Sequence, residues 1–221
     1  LYLHQYFSTY SGSNGTRSYE FASELIRGGN SVTIVCLKTD RSDTGIKGNV
    51  RNGFRRGYVN GIDVIEFDIK YSNKKSIFSR ALIFLEFTWR SSLLVFKEKA
   101  DLIIATSTPL TISIPGILGR WFKGIPFIFE VRDLWPQLPK AMRVIRNPVI
   151  LSILSFLEWI SYKSADHCIG LAPGICEEMK SNNISSKKVS LIPNACDLNI
   201  FKPLEIDSKY VPNSINKTIL T

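Results

Sequence analysis

Charged residues gather where an apolar run ends: Phe127-Ile128-Phe129 leads into Glu130-Val131-Arg132-Asp133, and Leu134-Trp135-Pro136 then stops the segment. Strand periodicity asks for nothing polar there, so Glu130, Arg132 and Asp133 are candidates for chemistry. A carboxylate can orient a hydroxyl. A guanidinium holds an anion through forked hydrogen bonds but is a poor proton shuttle, because it stays charged. In an open parallel sheet, ligands collect beyond the carboxyl ends of the strands, which makes this cluster the floor of a cleft. The alternative is a solvated turn carrying an ion pair.

A second group lies near the start. Leu1 to Phe7 reads as a strand, and Ser8 to Arg17 follows as a loop of small residues. A helix then opens near Thr16 or Ser18, with Tyr19, Phe21, Ala22, Leu25 and Ile26 as its apolar stripe. Gly28-Gly29-Asn30 ends it before the strand Ser31 to Cys36. Gly12 and Gly15 would let the backbone approach a ligand, helix-start amides favour a phosphate, and Arg17 adds a cation. The spacing Gly12-x-x-Gly15 matches neither the dinucleotide fingerprint nor the P-loop. A tight turn is the plainer use of such glycines.

The remaining elements must position these groups. Residues 38 to 61 are polar and basic, with Arg51, Arg55 and Arg56 close together, and are expected to form a mobile surface excursion. Ile62 to Phe67 is a third strand. Ile77 to Lys97 is a long helix richer in apolar residues than one core face requires, and Arg80, Glu86 and Arg90 argue against its spanning a membrane. With Lys74 and Lys75 ahead, Lys97 and Lys99 behind, and Trp89 among its aromatics, it could rest on an anionic bilayer. It could equally be a buried packing helix. Ala100 to Thr106 is a central strand, a helix runs from Leu110 to about Phe122, and Val149 to Ile160 is a helix for which burial is favoured over a membrane-facing role. A short strand and turn follow at Ser164 to Gly174, then a helix around Ile175 to Met179 and a strand from Val189 to Asn194. Strand and helix alternate throughout, so the fold class is α/β, a Rossmann-like doubly wound parallel sheet flanked by helices.

Composition narrows the class. The chain has 221 residues, 44% hydrophobic and 21% charged, enough for one sizeable core. The formal net charge of +9 suits an anionic partner, whether a phosphorylated metabolite, an acidic membrane or nucleic acid. Cys36, Cys168, Cys176 and Cys196 show neither zinc-site spacing nor the density of a secreted scaffold, and are expected to be reduced and intracellular. The only imidazoles are His4 and His167. A few residues are expected upstream of Leu1. Residues 1–203 are expected to form one domain, with 204–221 a linker and the start of a second.

The order of these features resembles the amino-terminal half of a family 4, GT-B-fold retaining glycosyltransferase, and the likeness covers nearly the whole chain. Glu130-Val131-Arg132-Asp133-Leu134-Trp135-Pro136 is similar to the form seen in a subgroup that transfers N-acetyl-L-fucosamine during synthesis of bacterial surface polysaccharides such as O-antigen or capsule. Ala165-Asp166, Ile192-Pro193-Asn194-Ala195-Cys196-Asp197 and Phe201-Lys202-Pro203 resemble the family's exit from this domain, with Ala195 in place of the usual glycine.

The resemblance implies a nucleotide diphosphate sugar as donor, no cofactor and no metal, in keeping with the lack of an Asp-x-Asp pair. Gly12, Asn14, Gly15 and Arg17, with Asn194, would lie near the donor diphosphate. Arg132 falls where many members carry a histidine. Asp133 would orient the acceptor hydroxyl, and Glu130 completes the catalytic group. Lys74, Lys75, Arg80, Trp89 and Arg90 would form an acceptor or membrane surface. The implied acceptor is polyprenyl-linked or another saccharide, and most donor contacts would come from a carboxyl-terminal domain. The implied location is cytoplasmic, at the inner face of the bacterial plasma membrane, with no nucleic-acid partner. Two other readings remain: a different GT-B nucleotide-sugar enzyme such as a non-hydrolysing 2-epimerase, and a non-catalytic membrane- or anion-binding module.

Overall fold

The computed structural model describes residues 1–71 and 76–195. Lys74 and Lys75, and the expected domain boundary and exit beyond Ala195, lie outside the described residues. The strands are β1 (Tyr2–Leu3), β2 (Thr33–Thr39), β3 (Phe54–Val59), β4 (Ile62–Tyr71), β5 (Ile103–Thr106), β6 (Phe127–Val131), β7 (His167–Gly170) and β8 (Val189–Leu191). They form one eight-stranded sheet in the order β3-β4-β2-β1-β5-β6-β7-β8. The neighbours from β4 to β8 pair in parallel, and β3 runs antiparallel to β4. This is an α/β, Rossmann-like sheet.

Why the strands read as continuous apolar runs is now plain. Along β1, β2 and β4, successive residues serve different cores: Tyr2, Ile34 and Val64 pack on one face of the sheet, Leu3, Val35 and Ile65 on the other. The first face is covered by α1 (Arg17–Arg27) through Tyr19 and Ala22. The second is covered by α2 (Ile77–Lys97), α3 (Ser113–Lys123), α5 (Pro148–Ser164) and α6 (Pro173–Ser181). A short α4 (Gln137–Ala141) follows β6.

Two expectations need correction. The stretch 38–61 holds β3, joined to β4 by a tight turn at Asn60-Gly61, where both residues adopt positive φ. Its arginines are structural: Arg55 pairs with Glu66 across the hairpin at 2.8 Å, and Arg56 bridges Asp63 at 2.6 Å and Glu98 at 2.8 Å. The helix α5 is not a buried one. It sinks Glu158, Ser161 and Tyr162 but exposes Val149, Ile153, Phe156 and Trp159. On α2, Ile83, Phe87 and Val95 enter the core, while Phe78, Leu82, Leu85, Trp89, Leu93 and Phe96 form an exposed apolar line on the opposite side. Among the described residues no helix is long and apolar enough to cross a membrane.

Candidate active site

A cleft of about 880 Å³ opens at the carboxyl ends of the parallel strands. Its lining is contributed strand by strand: Tyr71 and Arg80 after β4, Thr39 to Arg41 after β2, and His4 to Gly15 around the β1 exit. Thr108 follows β5, Arg132 and Asp133 follow β6, and Leu171 and Asn194 lie beyond β7 and β8. Of the residues singled out in the sequence, Asn14, Gly15, Asn194, Arg80, Arg132 and Asp133 therefore share one lining. Gly12, Arg17, Glu130, Trp89 and Arg90 do not belong to it.

The centre is built around Arg132. Its backbone N–H donates to Ser107 Oγ at 3.0 Å, and its Nη1 donates to His4 Nε2 at 3.2 Å. A guanidinium has no acceptor, so Nε2 of His4 must be the bare nitrogen and Nδ1 carries the proton, which it donates to Ser18 Oγ at 2.5 Å. Burial, reinforced by the Arg132 charge, pulls the His4 pKa down from 6.5 to about 3, so the ring stays neutral at physiological pH. The result is a relay from the first turn of α1 through a rigid imidazole to a cation in the cleft. Gly15 lies under that cation, and a Cβ built there would stand 3.7 Å from Arg132 Nη2. Asp133 is anchored separately, its Oδ2 accepting from Thr108 Oγ1 at 2.6 Å.

Glu130 lies beneath this surface. It is 1% exposed and accepts hydrogen bonds from Thr106, from Tyr2 at 3.4 Å and from Arg17 Nε at 2.8 Å. Beside this carboxylate, and mainly through burial, the Tyr2 hydroxyl is pushed far above its ordinary range. The Arg17 guanidinium is also committed: it donates to the carbonyls of Ile192 and Pro193, each at 2.7 Å, and stacks over Phe21. Arg17 thus braces the segment that presents Asn194 to the cleft.

Gly12 serves packing rather than ligand approach. A Cβ there would meet Ser8 Oγ at 2.0 Å and the Asp43 nitrogen at 2.6 Å, so only glycine lets this loop dock on residues 41–43. Arg90 is likewise occupied, donating to Gly53 O at 3.0 Å and Glu86 Oε1 at 2.7 Å. Trp89 projects from the exposed line of α2.

The sequence reading missed His4 as a site residue, along with its partner Ser18. The available signal was positional: His4 leaves its strand on the same edge of the sheet as Arg132 leaves β6.

With this geometry in place, comparison with known proteins is informative. The model of Glycosyltransferase Family 4 matches residues 15–200. The chain belongs to glycosyltransferase family 4. Its curated relatives include the UDP-N-acetylglucosamine--N-acetylmuramyl-(pentapeptide) pyrophosphoryl-undecaprenol N-acetylglucosamine transferase of Geobacillus kaustophilus (strain HTA426), 30% identical over 100 residues. The protein of the same description from Geobacillus thermodenitrificans (strain NG80-2) is 29% identical over 97 residues. These segments cover 45% and 43% of this chain but only 27% and 26% of the relatives' own length. Among solved structures, the lipopolysaccharide outer core galactosyltransferase WaaB in its apo form aligns over 89% of this chain and 46% of its own, with TM-score 0.47 and 15% identity.

Proposed function

We propose that the chain is the acceptor-side half of a retaining glycosyltransferase that moves a sugar from a nucleotide diphosphate sugar to a pyrophosphate-linked lipid saccharide in bacterial surface polysaccharide synthesis. Family membership supports the transferase, and the relatives' pyrophosphoryl-undecaprenol acceptors support the lipid carrier. The observation that carries the reading is the placing of Arg132 and Asp133 side by side above Gly15 at the start of α1, in one cleft at the strand ends.

In this scheme the acceptor hydroxyl attacks the anomeric carbon, the bond from that carbon to the diphosphate oxygen breaks on the same face, and the hydroxyl proton passes to the departing diphosphate oxygen. Asp133, held by Thr108, orients the hydroxyl. Arg132, held by His4, faces the negative charge that grows on the leaving diphosphate, together with amides near Gly15. Asn14 and Asn194 contact the donor. Glu130 and Arg17 are positioning residues that fix the strand end and the 192–193 segment. A second domain supplies the remaining donor contacts, so residues 1–221 alone are inactive. No metal takes part in the scheme. The exposed apolar line of α2 rests on the inner face of the plasma membrane, with basic residues near the helix ends on anionic lipid.

The test is to supply the complete protein with nucleotide sugars and a short isoprenyl pyrophosphoryl saccharide. The product gains one sugar with the donor's anomeric configuration, read by mass and NMR, and one nucleotide diphosphate is released. An inverted linkage removes the retaining scheme. Absence of transfer from every nucleotide sugar removes the reading.

A further inference from the structure

One end of the cleft has no task in that scheme. At the β2–β4 end, Arg41 and Arg80 line the cavity with Tyr6, Tyr71, Thr39 and Asp40. Arg17, Arg55, Arg56, Arg90 and Arg120 each meet a carboxylate, yet neither Arg41 nor Arg80 forms an ion pair among the described residues. The Arg80 Nε is buried without any hydrogen-bond partner. Such a donor is costly to leave unmade, and a ligand that supplies the acceptor removes the cost.

The end is built rather than incidental. Arg80 lies against the Tyr71 ring at 5.8 Å, and Tyr71 meets Tyr6 edge-on at 5.2 Å. The Arg41 backbone is fixed by a hydrogen bond from Ser13 N to its carbonyl at 2.9 Å, within the contact that the absent Gly12 side chain permits. Asp40 faces the same space, so the two guanidiniums leave one net positive charge.

We propose that Arg41 and Arg80 bind the diphosphate of the lipid-linked acceptor. This rests on the transferase reading above. Guanidiniums match phosphate oxygens in forked pairs. Four interstrand steps separate β4 from β6, about 19 Å at 4.8 Å per step, which leaves room for a saccharide between this end and Asp133. Arg80 is in the first turn of α2, on the side of Ile83 and Phe87, and the exposed apolar line of Phe78 and Leu82 runs along the other side of the same helix.

The test is calorimetric binding of farnesyl diphosphate to the complete protein, with farnesol as the uncharged control. The wild type binds the diphosphate and not the alcohol. Arg41→Gln and Arg80→Gln each weaken binding at least tenfold, Asp40→Asn on the exposed loop tightens it, and saturating UDP leaves it unchanged. Unaltered affinity in both arginine variants and in Asp40→Asn overturns the proposal, as does a wild type that binds no farnesyl diphosphate. Displacement by UDP also overturns it, because the diphosphate then sits at the donor end. Binding is read without sugar transfer, so the transferase reading stands or falls separately.

Discussion

The two ends of the cleft hold charge in different ways. At the β5–β8 end both charged side chains are gripped by neutral protein partners, Arg132 by His4 and Asp133 by Thr108. At the β2–β4 end two arginines face the cavity without an ion-pair partner among the described residues, one with a buried nitrogen unpartnered. A held charge is preorganised for a transition state, and an open one waits for the ligand to complete it. Loss of the first kind lowers turnover; loss of the second weakens binding.

The largest expected effect is at the held end. Arg132→Met in the complete protein should lower kcat by about 10²–10³-fold, the scale for removing a preorganised donor. A loss below tenfold, read by steady-state kinetics, would erase the contrast between the ends.

Next comes the imidazole that grips Arg132. The folded-state pKa of His4, about 3, lies below its unfolded value, so the unfolded chain takes up the proton first as pH falls. Stability is therefore lost as pH falls below 6.5, by about 2 kcal/mol at pH 5. Glu158 acts in the opposite sense, because burial raises its carboxyl pKa and its stabilising share fades as pH rises. Comparing urea unfolding of wild type and His4→Gln at pH 7 and pH 5 isolates the histidine. Equal pH dependence in both would mean the ring is not a buried neutral one.

A smaller effect belongs to the loop that carries Arg41. Gly12→Ala should cost about 1 kcal/mol through overpacking and weaken diphosphate binding with it. Loss of stability without loss of binding would detach the loop from the site. Smallest is Arg90→Met, which breaks a partly exposed pair with Glu86 and should change stability by less than about 1 kcal/mol in thermal unfolding.

Much of the fold was legible because the strands are apolar on both faces and the helices are marked by Gly28, Gly124 and Pro148. Arg132 and Asp133 stood out since no core position asks for them. The roles of Arg17 and Glu130 were not legible: their ion pair joins residues 113 positions apart, and a cation near a glycine loop reads as a phosphate ligand until its partner is placed. Arg55 and Arg56 looked like free loop charge for the same reason, because Glu66 and Asp63 become partners only once the hairpin closes. His4 gave no charge or pattern signal. Its place at the end of a strand was the one signal, and its role follows only once the chain brings Ser18 and Arg132 to its two nitrogens.

The most direct test of the two-ended cleft is a single kinetic experiment on the complete protein, measuring kcat and KM for the lipid-linked acceptor in Asp133→Asn and Arg80→Gln. The account predicts that Asp133→Asn lowers kcat about a hundredfold with KM little changed, while Arg80→Gln raises KM at least tenfold and leaves kcat near wild type. The same kinetic signature in both variants, or the reverse assignment, would contradict it.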